Sequence, residues 1–287
     1  MRTERHEVGL IGAGIGASLS PALHEREAAE QGLDYAYRLL DIDERGPSPA
    51  NVGELLEEAH LAGFSGLNVT HPCKQAVVAH LDVLSDDAAA LQAVNTVVFE
   101  DGRAVGHNTD TTGFAENFVR GLSGVAAQSV VLLGAGGAGT AVAYAALRLG
   151  VQRLTVVDID RERVHACVRQ LQSDRVVAGT LDSLADADGL IHATPTGMEG
   201  HRPGLPLDAE LLHPGLWVAE IVYRPLETAL LRYARALGCR TLDGGGMAVF
   251  QAADSFELFT GVEPDRERML RHFADLVAEP IATGGAR

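Results

Sequence analysis

The chain carries 23 basic residues, and only one of them, Lys74, is a lysine. Arginine keeps its proton at any working pH, whereas an amine can lose one when its surroundings lower its pKa. A sequence that uses arginine everywhere else marks Lys74 as a candidate proton carrier. Polar side chains crowd the same turn. Asn68 offers a donor and an acceptor and Thr70 a hydroxyl, although both also suit turn and cap positions. Asn95 stands inside the apolar run Ala93–Phe99, where a buried amide needs partners. Asp110 lies just ahead of the helical pattern Gly113–Leu122; it reads as an N-cap or as an acid working with Lys74. Ser18 and Ser20 place two hydroxyls at a helix N-terminus, a setting for a small carboxylate. Ser20, before Pro21, also reads as an ordinary cap.

A second constellation supplies a different chemistry. In Val130–Asp158 an apolar strand meets Gly134, Gly136 and Gly139 in the spacing G-x-G-x-x-G, and a helical pattern follows to Leu149. A second apolar strand ends in Asp158, roughly 20 residues on, as a dinucleotide-binding unit requires. The Gly134, Gly136, Gly137, Ala138 and Gly139 backbone turns tightly and offers helix N–H groups to a pyrophosphate. Asp158 accepts from ribose hydroxyls and repels the 2′-phosphate of NADP, so NAD is the expected cofactor. Arg163 packs on adenine or pairs with an acid; Arg161 and Arg163 read equally as a solvated helix start. An earlier glycine pattern, Gly12-x-Gly14-x-x-Ala17, is set aside. Pro21 opens its helix several residues too late to seat a phosphate on the N-terminus.

The elements that hold these groups alternate strand and helix. Strands are expected at Val8–Ile11, Tyr35–Ile42, Phe64–Val69, Ala93–Phe99, Val176–Ala178, Gly189–Ala193 and Leu216–Val222. Helices are expected at Asn51–Ala62, Arg161–Leu171, Thr228–Leu237 and Pro264–Val277, with another starting at Met247. Thr194, Thr196 and Tyr223 follow strands, at the carboxyl edge where ligands collect in a parallel sheet. Gly244–Gly246 let the backbone approach something flat, Met247 packs near it, and Gln251 rides the same helix. The fold class is α/β in two domains.

A net charge of −16 argues against nucleic acid and anionic membranes as partners. Cys73, Cys167 and Cys239 form neither a zinc spacing nor a disulfide framework, no metal is expected, and a reducing cytoplasm is the default. The opening MRTERHEVGL lacks the apolar core of a secretory leader.

Together SLSP (Ser18–Pro21), NVTHPCK (Asn68–Lys74), AVNT (Ala93–Thr96), GHNTD (Gly106–Asp110), GAGGAG (Gly134–Gly139) and GGGMAVFQA (Gly244–Ala252) resemble the shikimate/quinate dehydrogenase family, in its order and over nearly the whole chain. The resemblance implies a substrate domain at 1–109 plus 248–287, with C-terminal helices returning to it, and a doubly wound Rossmann domain at 110–247. It implies Lys74 and Asp110 as the catalytic pair. Ser18, Ser20 and Tyr223 would bind the substrate carboxylate, and Asn68, Thr70, Asn95, Asp110 and Gln251 the ring hydroxyls. Gly246 would pass near the nicotinamide, with Thr194 and Met247 also on the cofactor side. Where NADP-linked biosynthetic members carry Asn-Arg-Thr/Ser, this chain has Asp158-Ile159-Asp160-Arg161, closer to the NAD-using branch. The expected reaction is reversible oxidation of the C3 hydroxyl of shikimate or quinate. The alternatives are an aminoshikimate dehydrogenase, an NADP-linked biosynthetic enzyme, and a catalytically silent NAD-binding sensor. Monomer and homodimer are both open.

Overall fold

Strands buried on both faces must be apolar along their buried length, and Ser129–Leu133 (SVVLL), buried from Val130 onward, is such a strand. In the computed structural model, which describes residues 5–45 and 51–278, it lies inside an all-parallel sheet. Within the described residues the chain divides into two compact units. The first runs to Ala88, includes Gln92–His107 and resumes at Ala252; the second holds Ala89–Leu91 and Asn108–Gln251.

The first unit is built on strands β1 (Arg5–Gly12), β2 (Asp34–Asp41), β3 (Gly66–Val69), β4 (Val83–Leu84), β5 (Thr96–Glu100) and β6 (Arg103–His107). Their order is β2-β1-β3-β5-β6-β4, with β3–β5 and β5–β6 antiparallel and the other pairs parallel. Asp101 and Gly102 both take positive φ, which closes the β5–β6 hairpin with the twist such a two-residue loop needs. Helix α1 spans Ser20–Glu30 and α2 Val52–Leu61, and α3, Asp86–Leu91, is shared between the two units. Val52, Leu55, Leu56 and Ala59 of α2 pack on Leu67, Val69 and Val97. Each such side chain, fully buried, is worth roughly 1.5–3 kcal/mol.

The second unit begins with helix α4 (Thr109–Gly121) and strand β7 (Ser129–Leu133). Then come α5 (Gly137–Arg148), β8 (Arg153–Val157), α6 (Arg161–Leu171), β9 (Val176–Ala178), β10 (Gly189–His192), β11 (Trp217–Glu220), α7 (Ala229–Ala236) and β12 (Arg240–Leu242). The sheet runs β12-β11-β10-β7-β8-β9, all parallel, the doubly wound order with its switch point between β7 and β10. Val130 and Leu132 face α5, while Val131 and Leu133 face Leu230 and Leu231 of α7. Among the described residues no helix is long and apolar enough to cross a membrane. Cys73, Cys167 and Cys239 are buried free thiols, each pushed above its ordinary pKa by burial.

Several boundaries differ from the sequence reading, for local reasons. Helix α1 starts at Ser20, with Leu19 at the N-cap, so Ser20 is its first residue and not its cap. Strand β5 begins at Thr96, which leaves Asn95 just ahead of it. Helix α4 begins at Thr109 behind Asn108, so Asp110 sits in the first turn and is not the cap. Helix α8 covers Gly245–Thr260, so it starts two residues before Met247, where the helix was expected to begin, and takes in two of the three glycines. Helix α9 is Arg266–Ala278.

Helix α9 returns to α1 through one buried carboxylate. Glu27 Oε1 accepts from Arg268 Nη2 at 2.6 Å, Gln31 Nε2 at 2.7 Å and the Asp265 amide at 2.8 Å, and Oε2 accepts from Arg268 Nε at 2.8 Å. Burial alone would raise the Glu27 pKa; the Arg268, Gln31 and Asp265 donors outweigh it and hold the carboxyl below its ordinary value. A depressed folded pKa contributes stability above the unfolded value and loses it as pH falls through the folded one. Arg268→Ala, which leaves the buried carboxylate only the Gln31 and Asp265 donors, is expected to cost about 3 kcal/mol at neutral pH, the low end for breaking a buried pair. In urea unfolding, the advantage of the wild type over Glu27→Gln should shrink as pH drops below the ordinary value of 4.5. An advantage that stays constant to pH 3 would contradict this account.

Candidate functional site

In the first unit the polar side chains collect where β1, β3 and β5 meet, and one tyrosine joins them. Tyr37 of β2 donates from its hydroxyl to Asn68 Oδ1 at 2.8 Å and also bonds the Ser20 side chain. Asn68 Nδ2 donates to Thr96 Oγ1 at 3.1 Å and, at 3.4 Å, to the Asn95 carbonyl; Thr96 Oγ1 donates to Asn95 Oδ1 at 3.1 Å. Asn68, Asn95, Thr96 and Tyr37 are all buried. The Asn95 backbone is fixed from both sides, its N–H on His107 and its carbonyl under Val69 N–H. Next to it the Val94 N–H donates to the Lys74 carbonyl at 2.8 Å, so the lysine turn is tied to the segment bearing Asn95. Lys74 itself is half-buried in that turn.

Ser18 and Thr70 lie at the rim of this set. Ser18 Oγ accepts from the Ser20 N–H at 3.3 Å, which satisfies one of the open N–H groups of the helix start. Thr70 donates its N–H to Ile11, and its methyl would meet a Cβ at Gly12 at 2.3 Å. His24, more a packed residue than a catalyst from sequence, is fully buried against Tyr35, Tyr37, Phe256 and Phe259. Burial pushes its pKa down to about 3, and Nδ1 bonds the Tyr35 hydroxyl at 2.9 Å.

In the second unit the glycine loop stands at the carboxyl ends of β7 and β8. Gly134 takes φ 110°, and a Cβ there would lie 2.5 Å from the Ala193 carbonyl oxygen. A Cβ at Gly136 or Gly137 would meet nothing within 4 Å, so the start of α5 opens onto free space. Gly136 is the N-cap of α5 and makes no side-chain cap bond. The N–H groups of Gly137, Ala138 and Gly139 therefore have no partner within the helix and face that space with the positive end of the dipole. Asp158 turns onto the same loop: Oδ2 accepts from Ala135 N–H at 2.8 Å, and Oδ1 from Asp160 N–H at 2.9 Å. Asp160 caps α6 and pairs with Arg163 Nε at 3.3 Å, and the Arg163 side chain stays largely exposed at the helix start. These features fit a pyridine nucleotide, which supplies hydride chemistry that no side chain here can supply.

The remaining residues sit as follows. Asp110 is buried in the first turn of α4. The Gln251 side chain, on α8, donates from Nε2 to the Ala248 carbonyl, and a Cβ at Gly113 of α4 would meet the Gln251 backbone nitrogen at 2.7 Å. Gly246 is glycine because α4 abuts it: a Cβ would lie 1.9 Å from Asn117 Oδ1. Met247 belongs to the apolar core with Phe114 and Trp217. Burial raises the Tyr223 hydroxyl above its ordinary pKa despite the Arg224 charge. Sequence reasoning missed Tyr37, Thr96, His192 and Glu220. For the last two the signal was present, a titratable residue inside each of the apolar strands GLIH and WVAE.

Comparison with known proteins agrees with this arrangement. Residues 10–97 match the family model described as the shikimate dehydrogenase substrate binding domain, and residues 244–272 the shikimate 5'-dehydrogenase C-terminal domain. The chain is 63% identical over 284 residues to a shikimate dehydrogenase (NADP(+)) of Streptomyces avermitilis, covering 96% of this chain and 97% of the other. It is 48% identical over 278 residues to a quinate/shikimate dehydrogenase (NAD(+)) of Corynebacterium efficiens, covering 94% and 98%. Among solved structures, the quinate dehydrogenase from Corynebacterium glutamicum in complex with NAD superposes with a TM-score of 0.89 at 45% identity, over 94% of this chain and 99% of that one. With its two α/β units, its glycine loop and these relatives, the chain belongs to the shikimate dehydrogenase family and is a pyridine-nucleotide oxidoreductase of the shikimate/quinate dehydrogenase kind.

Proposed function

We propose that this protein oxidises the C3 hydroxyl of shikimate or quinate with NAD, reversibly, in a reducing cytoplasm. The observation that carries the choice of NAD is the paired acid at the end of β8. Asp158 is held on the glycine loop, and Asp160, two residues on, takes up the nearby Arg163. A 2′-phosphate beside two carboxylates meets repulsion of about 1 kcal/mol per charge pair at 4 Å in water, and about 4 at a surface dielectric. Ribose hydroxyls instead donate to Asp158. The relative named as NADP-dependent, at 63% identity, favours the opposite reading, an NADP-linked shikimate dehydrogenase.

Within this reading Ser18 and Ser20 bind the substrate carboxylate with Tyr223. Asn68, Thr70, Asn95, Asp110 and Gln251 bind the ring hydroxyls, and Gly246 and Met247 border the nicotinamide. The Tyr37–Asn68–Thr96–Asn95 bonds support the ring-hydroxyl role, since they fix each amide before a substrate arrives. Lys74 takes the hydroxyl proton as hydride leaves the carbinol carbon, and Asp110 shares that proton with it.

Steady-state kinetics with NAD and NADP against shikimate and quinate test the cofactor half. NAD should be preferred by at least about tenfold in kcat/KM, the ratio that ~1.4 kcal/mol of repulsion gives. Asp158→Ser should move that ratio toward NADP. A wild type that prefers NADP selects the biosynthetic reading.

Lys74→Arg keeps the charge and removes the titratable amine. Turnover should fall by more than about tenfold, a loss above ~1.4 kcal/mol, and Lys74→Met should fall further, with NADH affinity retained in both. Turnover within tenfold of wild type would rule out the lysine as proton carrier.

A further inference from the structure

Two buried ionisable side chains at the carboxyl ends of β10 and β11 take no part in the reaction above. His192 ends β10, Glu220 ends β11, and neither side chain is exposed. Glu220 gathers donors from three segments. His192 Nδ1 lies 2.8 Å from Oε1 and 3.0 Å from Oε2, the Val222 N–H donates to Oε1 at 3.0 Å, and Thr228 Oγ1 donates to Oε2 at 3.1 Å. The Thr228 hydroxyl oxygen also caps α7, accepting the Leu231 N–H at 3.2 Å. Across the ring, His192 Nε2 lies 2.5 Å from Thr194 Oγ1, which also accepts the Thr196 N–H at 3.3 Å.

Thr194 connects this buried set to the glycine loop. A Cβ at Gly134 would lie 3.0 Å from the Thr194 methyl carbon. The hydroxyl of Thr194 thus points in to His192 and its methyl toward Gly134. With the ring held by Glu220, only one Thr194 rotamer satisfies both. Packing alone does not call for this arrangement. A buried polar pair is a weak source of stability, and apolar side chains of similar volume commonly serve as well or better. What such a pair does supply is orientation, as a carboxylate behind a histidine does at many functional sites.

We propose that His192 and Glu220 are positioning residues for the dinucleotide. Through the imidazole they fix Thr194 and the path of residues 194–196, and so shape the wall beside the first glycine of the phosphate loop. The inference rests on the pyridine-nucleotide site and not on the choice between NAD and NADP or on the ring acid.

Fluorescence titration of NADH and NADPH into wild type, Thr194→Val, Thr194→Ser, His192→Asn and the double variant tests it, with shikimate KM at saturating cofactor and thermal midpoints recorded alongside. Thr194→Val keeps the shape and removes the hydroxyl. It should weaken the preferred dinucleotide at least fivefold at temperatures well below its midpoint and leave shikimate KM within twofold. Thr194→Ser, which keeps the hydroxyl, should stay within twofold of wild type. His192→Asn should match Thr194→Val, and the double variant should be no weaker than either, since both remove one link. Thr194→Val binding within twofold of wild type overturns the proposal, including where His192→Asn only lowers the midpoint or fails to fold. A wild type that binds neither dinucleotide overturns it together with the nucleotide site on which it rests.

Discussion

Helix α5 starts so close to strand β7 that a Cβ at position 139 would lie 2.0 Å from the Gly134 carbonyl oxygen. No side chain survives that approach, and the rest of the nucleotide site depends on it. The short distance swings the first turn of the helix over the carboxyl end of the sheet, where the open positions 136 and 137 leave its amides uncovered. Binding there relies on backbone N–H groups and dipole, so it needs small residues and an exact turn more than it needs particular side chains. Asp158 closes the turn by taking the Ala135 N–H, which couples the end of β8 to the loop it faces.

The first unit works by a different physics. Its polar groups are side chains, and those of Tyr37, Asn68, Thr96 and Asn95 are accounted for by one another. The Tyr37 hydroxyl assigns the oxygen of Asn68, Asn68 hands its nitrogen to Thr96, and Thr96 assigns the oxygen of Asn95. Each orientation is set by its neighbour, so the amides are arranged in advance. Ring hydroxyls, which both donate and accept, can then be told apart by position. Leaving one such buried group unpaired costs about 1–3 kcal/mol, which makes the set resistant to piecemeal change.

Much of this was legible in the residues. Helix α6 and strand β9 fall where their periodicity and caps put them, because Asp160 caps one and apolar residues fill the other. The doubly wound sheet follows from strands that are apolar throughout and separated by helices. Boundaries slipped where chemistry and secondary structure overlap. Asp110 resembles a cap by type, yet Asn108 holds that position. Gly245 and Gly246 look irregular by composition, yet α8 runs through them, and at Gly246 the Asn117 side chain of α4 takes the place a Cβ would occupy. Tyr37 could not be found from sequence, since its role is set by a sheet that brings residues 31 positions apart into contact. His192 and Glu220 were visible as polar residues in apolar strands, but their pairing depends on the β10–β11 register, which places them opposite each other.

The two glycine patterns show why a motif needs its surroundings. Both follow a first strand, and in both an aspartate ends the next strand and turns back on the loop. In the first, Asp41 takes the N–H of Gly14 at 3.2 Å and of Ile15 at 3.1 Å, and Ile15–Ala17 forms a short 3-10 turn. The donors that would cradle a phosphate are occupied by a carboxylate of the protein itself, and α1 starts only at Ser20. In the second, Asp158 takes the Ala135 N–H, one residue before the N-cap Gly136, and the amides of the α5 first turn stay clear of it. A carboxylate one or two residues further along would have filled the phosphate position with negative charge. The difference between a glycine loop whose amides are taken by the protein's own carboxylate and one whose helix-start amides stay open is therefore the register of a single aspartate.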